Sequence, residues 1–111
     1  MEVSLLLGRI EKDGIFVVTN CSNDAVPAGT RLTQIIKHQV VLALPDIHRT
    51  VLGKVAVVDL VIHEITLKRW GPPVDFIPEG WSAGLKLTGE GAADLTSIFH
   101  AAAKNEQVLL Q

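Results

Sequence analysis

Four short constellations in this sequence carry residue types able to do chemistry. Gly80-Trp81-Ser82-Ala83-Gly84 has the Gly-x-Ser-x-Gly spacing of a nucleophile elbow, in which a strand-to-helix turn lifts a serine hydroxyl above a sheet. That geometry needs a helix directly after the serine, whereas Leu85-Lys86-Leu87-Thr88-Gly89 alternates as a strand does and Pro78 precedes the match. The glycines therefore read as parts of a hairpin turn, and 111 residues are too few for such a hydrolase sheet. His63-Glu64-Ile65-Thr66-Leu67 begins like the zinc-protease His-Glu-x-x-His, with Leu67 in place of the second histidine and a strand in place of the helix. His38, His48, His63 and His100 are scattered, and one cysteine cannot build a thiolate zinc site, so no metal or cofactor is expected. Asp59 and His63 share a strand face about 13 Å apart at strand rise, too far for a direct hydrogen bond, and read as edge or interface groups. Cys21 sits in a polar turn without an adjacent Lys, Arg or His to activate it and reads as an incidental thiol.

The fourth constellation is Lys68-Arg69-Trp70, the candidate partner-binding residues. Two cations and a stackable ring ahead of the Gly71-Pro72-Pro73 bend, at the expected tip of a hairpin, suit RNA or an acidic protein surface. The plainer alternative is that Lys68 and Arg69 guard a strand end against association while Trp70 folds back on the core.

Composition limits what such residues can serve. Lys and Arg total 10 against 12 Asp and Glu, a net charge of −2, which argues against binding nucleic acid mainly through counterion release. Hydrophobic residues make up 48% and charged residues 20%, and the mean hydropathy of +0.33 excludes disorder. Size predicts one domain over 1–111, with about 6,000 Å² of surface folded against about 17,000 Å² unfolded. One cysteine rules out an intrachain disulfide. No window reaches the roughly 18 apolar residues of a membrane helix, and the start of the chain lacks the basic segment of a signal peptide. A cytoplasmic protein with no membrane partner is the expectation.

Most positioning elements read as strands. Val3–Ile10 and Ile15–Thr19 flank a hairpin turn at Glu11-Lys12-Asp13-Gly14, and Asn20–Asp24 is a turn cluster. Val26-Pro27-Ala28-Gly29 leads into Thr30–Lys37, Val40–Leu44 is a short apolar segment, and Pro45–Thr50 is predicted as a loop. The longest strand is predicted over Lys54–Lys68. Its first half is apolar on both faces, which requires either cover on both sides or a bulge. Ser82–Thr88 is another strand. The spacing of Leu95, Ile98, Phe99 and Ala102 predicts a helix over about 94–104 with Asp94 as its N-cap, followed by a last strand at Gln107–Leu110.

Four of these segments, taken in order, resemble the second domain of translation GTPases, the β-barrel that follows the GTP-binding domain in elongation factor Tu. Gly14–Thr19 looks like the entering strand, and Val26-Pro27-Ala28-Gly29-Thr30-Arg31-Leu32 is similar to that family's apolar–x–x–Gly–x–x–apolar turn. Ile77-Pro78-Glu79-Gly80-Trp81-Ser82-Ala83-Gly84-Leu85-Lys86-Leu87-Thr88-Gly89 resembles the family's Ala-Gly-x-x-x-Gly-apolar-x-apolar-x-Gly stretch late in the barrel, and Glu106–Leu109 its closing strand. The chain departs from the pattern at Asn20, where glycine is common, in the longer 38–53 connection, and in the added helix. No Gly-x-x-x-x-Gly-Lys-[Ser/Thr] loop occurs, so GTP binding is not expected.

The resemblance implies an all-β Greek-key barrel of the translation-protein type, with the C-terminal helix packed over an open side. It also implies a non-enzymatic binding module, a small accessory protein contacting protein or RNA. Two other readings stand beside it. One is a ligand-binding or enzymatic barrel using Asp59, His63 and Ser82; the other is a structural homodimer whose excess apolar surface is the interface.

Overall fold

A computed structural model describes residues 2–43, 46–67 and 71–111. Eight strands and one helix follow in the order β1 (Leu5–Ile10), β2 (Phe16–Asn20), β3 (Val26–Pro27), β4 (Arg31–Ala43), β5 (Asp46–Thr66), β6 (Phe76–Ile77), β7 (Ser82–Glu90), α1 (Ala92–Ala101) and β8 (Glu106–Leu110). Six of them close into an antiparallel barrel in the order β1-β2-β7-β5-β4-β8, completed where Leu5, Leu6 and Leu7 pair with Leu110, Leu109 and Val108. The sequence expectation of an all-β protein with one helix before a last strand holds.

Alternation fills the barrel. Leu5 and Leu7, Phe16 and Val18, Ala83 and Leu85, and Val108 and Leu110 are buried at every second position of short strands. Each large aliphatic side chain so buried is worth roughly 1.5–3 kcal/mol against exposure. On β5 the phase jumps: Leu60 and Ile62 are buried, and so is Ile65, three residues on. The cause is a bulge, because Ile62 pairs with Leu87 and Glu64 with the adjacent Lys86, leaving His63 as the extra residue. Both His63 and Glu64 consequently lie away from the core.

The small sheet of β3 and β6 pairs Val26 with Ile77, both fully buried, and so adds a layer to the core. Asn20 ties it down. The sequence places Asn20 in a polar turn, yet the residue is 1% exposed: its amide donates to the carbonyls of Asp24 (2.9 Å) and Ile77 (3.0 Å), and its Oδ1 accepts from the Ser22 N–H (2.9 Å). A buried amide with its groups met offsets its own desolvation.

Three expectations need correction. The barrel is closed, so α1 covers no open side; it packs beside β5 and β7 with Leu95 buried and Ile98, Phe99 and Ala102 half-buried against the core. The helix starts earlier than Asp94, after an N-cap at Gly91, and ends at Ala101. Tertiary contact sets that start: Gly91 has φ +111° and a Cβ there would overlap the Val58 side chain, so glycine is needed where the chain turns off β7. The predicted loop at Pro45–Thr50 is strand from Asp46 onward. β4 and β5 form one long ribbon, because Arg31–Ala43 of β4 pairs with Asp46–Val61 of β5 from end to end.

That ribbon leaves the barrel. β8 accompanies β4 only over Ile35–Gln39, with one more bond from the Val40 N–H to the Asn105 carbonyl, and β7 accompanies β5 only from Asp59, so from Val41 and below Asp59 the two strands pair only with each other among the described residues. Against the 13 residues Arg31–Ala43 of β4, β5 runs the 16 residues Asp46–Val61, and the three extra residues fall at successive bulges. The bulged alternative for the doubly apolar half of this strand is therefore correct. The molecule measures 42 Å along its longest axis against 28 and 27 Å.

Candidate functional site

A cleft of about 770 Å³ lies against the strands β1, β2, β7 and β5. Ile15, Val17 and Gly84 supply its apolar lining. Gly84 keeps that part open, since a Cβ there would come within 2.9 Å of Ile15 Cγ2. Arg9, Glu11, Asp13, Glu64 and Lys86 supply charge. Four of these charges are arranged in pairs: Arg9 Nη2 lies 3.1 Å from Glu11 Oε1, and Lys86 Nζ lies 3.1 Å from Glu64 Oε2. The second pair joins cross-strand neighbours, so the bulge at His63 that turns Glu64 outward also creates it. Exposed ion pairs of this kind contribute about 0–1 kcal/mol to stability, and their role here is to set the polarity of the wall.

Ser82 stands on the cleft at the start of β7, with its hydroxyl 2.8 Å from that of Thr19 on the paired strand β2. A strand, not a helix, follows it, which removes the elbow geometry. Asp59 is drawn to Arg31 at 3.3 Å rather than to His63, and both Asp59 and His63 are exposed. Asp59, His63 and Ser82 thus do not form one bonded site. Cys21 is exposed and unbridged. Among the described residues no group of three His, Cys, Asp or Glu side chains converges as metal ligands would.

Lys68, Arg69 and Trp70 lie outside the described residues. Their neighbours on either side, Leu67 and Gly71, both line the cleft, and with Pro72 and Val74 they also line an apolar recess of about 240 Å³. Val74 is anchored there by its N–H, which donates to the Ile65 carbonyl at 2.8 Å. Sequence reasoning missed Arg9, Glu11, Glu64 and Lys86, because what joins Glu64 to Lys86 is the register of β5 on β7, not spacing along the chain.

Comparison with protein-family models, curated proteins and solved structures finds no match to this chain. Among the described residues no helix is long and apolar enough to cross a membrane.

Proposed function

We propose that this chain is a non-enzymatic binding module of the cytoplasm, a translation-factor-like barrel that contacts RNA or protein through Lys68, Arg69 and Trp70. The observation that carries the reading is the cleft whose edge is formed by the residues flanking that triplet. It offers an apolar recess beside a wall in which Arg9–Glu11 and Lys86–Glu64 are paired, with the Ser82 hydroxyl bonded to another hydroxyl and not to a base. Such a surface fits recognition better than turnover, which calls for an acid or base with a matched proton affinity held near the reacting group.

Two features support the family likeness. Strand order β1-β2-β7-β5-β4-β8 sets β4, β5 and β7 as consecutive neighbours with β8 returning beside β4, an order that fits the Greek key this reading expects. The Val26–Leu32 segment passes from β3 through a turn with Gly29 at φ +87° into β4, as the family's glycine turn would.

The test is binding of fluorescent ribosomal RNA fragments across a salt series. Wild type binds, and Lys68→Ala/Arg69→Ala/Trp70→Ala weakens binding at least tenfold and flattens the salt dependence, with Trp70→Ala alone removing about 1–3 kcal/mol of stacking. Absence of RNA binding together with triplet-dependent binding to an acidic protein assigns the site to protein. Unchanged affinity for the true partner in a folded triple variant overturns the site.

A further inference from the structure

We infer that the projecting β4–β5 ribbon is a self-association arm, which packs along the ribbon of a second copy of this chain in antiparallel fashion about a two-fold axis. The surface shares no residue with the cleft that Leu67 and Gly71 line and is independent of the function proposed there.

The first argument is apolar exposure. Val51 is 65% exposed and Val57 71%, with Leu52 and Val55 exposed between them and Val41 on the paired strand. Scattered exposed aliphatics are ordinary, but four within seven residues of one strand form a patch. The bulges add to it: β4 pairs Lys37 with Gly53 and His38 with Val51, leaving Leu52 extra, and pairs Ile35 with Ala56 and Ile36 with Lys54, leaving Val55 extra. Edge strands are usually guarded by charge, by proline or by bulges that turn the edge away. Here the bulged residues are themselves apolar and exposed, and the run Val51–Val58 holds a single charge, Lys54.

The area available is enough for a second copy. The chain's accessible surface is 6924 Å². A compact monomer of this mass should expose about 6,000 Å². The excess of roughly 900 Å² matches the ~800 Å² that each partner contributes to a standard interface.

Symmetry and charge agree with a second copy. One edge of β5, over residues 46–57, has no strand beside it among the described residues, and two such edges related by a two-fold axis perpendicular to the strands meet antiparallel. In that arrangement the Arg49 end of each arm runs toward the foot of the other. There Glu90 is exposed beside Asp59, whose carboxylate is held by Arg31. The described arm carries exposed Arg49 and Lys54, so arm on foot brings basic residues toward Glu90. The patch has aliphatics and no aromatic ring, which suits protein packing better than base stacking.

The experiment is sedimentation velocity with light scattering on the full chain. Wild type is expected at twice the 12.0 kDa chain mass, falling to one chain mass on dilution. Val51→Lys/Val57→Lys is expected at one chain mass with an unchanged circular dichroism spectrum, since both residues face solvent in the single chain. In a Cys21→Ser background, Leu52→Cys is expected to give an oxidised dimer band and Glu79→Cys none, a readout that stands even if the lysine variant misfolds. A wild type at one chain mass at every concentration overturns the inference. So does a dimer mass retained in the folded lysine variant without a Leu52→Cys cross-link, and so does a monomer that instead co-sediments with phosphatidylserine vesicles through the arm. Ribosomal RNA binding by the monomeric lysine variant reads the Lys68–Trp70 site separately, so either proposal can fail alone.

Discussion

Asn20 and Ile77 stand 57 residues apart in the chain and are joined by a buried hydrogen bond, from the Asn20 amide to the Ile77 carbonyl at 3.0 Å. The bond fixes the β3–β6 layer to the end of β2, and Gly80 N–H adds a second tie by donating to the Asn20 carbonyl at 2.9 Å. Asn20→Ala removes donors and acceptor at once and leaves the Ile77 carbonyl and Ser22 N–H without those partners. The expected loss is about 2–4 kcal/mol by denaturant unfolding, with Asn20→Asp similarly damaging because a carboxylate cannot donate. A loss below about 0.5 kcal/mol would mean that water replaces the side chain.

Two glycines of β7 should respond in opposite ways. Gly89 has φ +116°, and a Cβ there would overlap the Asp59 carbonyl oxygen on the paired strand. Gly89→Ala is expected to cost at least about 2 kcal/mol, from the left-handed backbone and the forced shift of β5 together. Gly84 lies outside the positive-φ region and would meet mainly the movable Ile15 side chain, so Gly84→Ala should stay within about 1 kcal/mol while Gly84→Val narrows the cleft. Paired chemical denaturation curves decide it; equal costs would contradict the register of β5 on β7.

The helix rests on Leu95. Leu95 is fully buried whereas Phe99 is half-buried, so Leu95→Ala should cost about 2–5 kcal/mol and Phe99→Ala less, despite the larger ring. Thermal melts of both variants test the order, and the reverse ranking would put the aromatic deeper in the core than its contacts indicate.

Ser82→Ala should change stability by less than about 1 kcal/mol, the range of one exposed hydroxyl pair with Thr19. No ester hydrolysis should depend on it. Turnover of a p-nitrophenyl ester that this one change abolishes would make the hydroxyl a nucleophile after all.

How far the sequence reaches is visible along β5. Strict alternation at Leu5 and Leu7 or at Phe16 and Val18 reads directly as a strand with one face inward. The jump from Ile62 to Ile65 does not, because a bulge is decided by how two ladders fit and leaves no compositional mark. The same bulge decides the cleft, as it sets Glu64 beside Lys86. Residues 46–50 read as a loop because Pro45, Asp46, His48 and Arg49 carry the residue types of turns, while their strand state is imposed by pairing with Gln39–Ala43. At the helix, Asp94 has good capping chemistry, yet close contact between Gly91 and Val58 moves the start upstream. Local preference was legible; long-range fit was not.

The closure of the barrel bears on how the chain reaches this structure. β4 and β5 are neighbours in sequence and can zip as a hairpin within microseconds, and the β1–β2 hairpin is equally local. The β1–β8 seam is different: Leu5 must find Leu110 with nearly the whole chain between them. Closing so long a loop gains nothing until the pairing forms, which makes the seam the expected late and rate-limiting event, in the millisecond-to-second range usual for non-local β topologies. Until it forms, β1 and β8 each present a bare edge beside the exposed aliphatics of the arm. Refolding yield should therefore fall with protein concentration even where the folded state is fully stable, which a dilution series from denaturant measures directly.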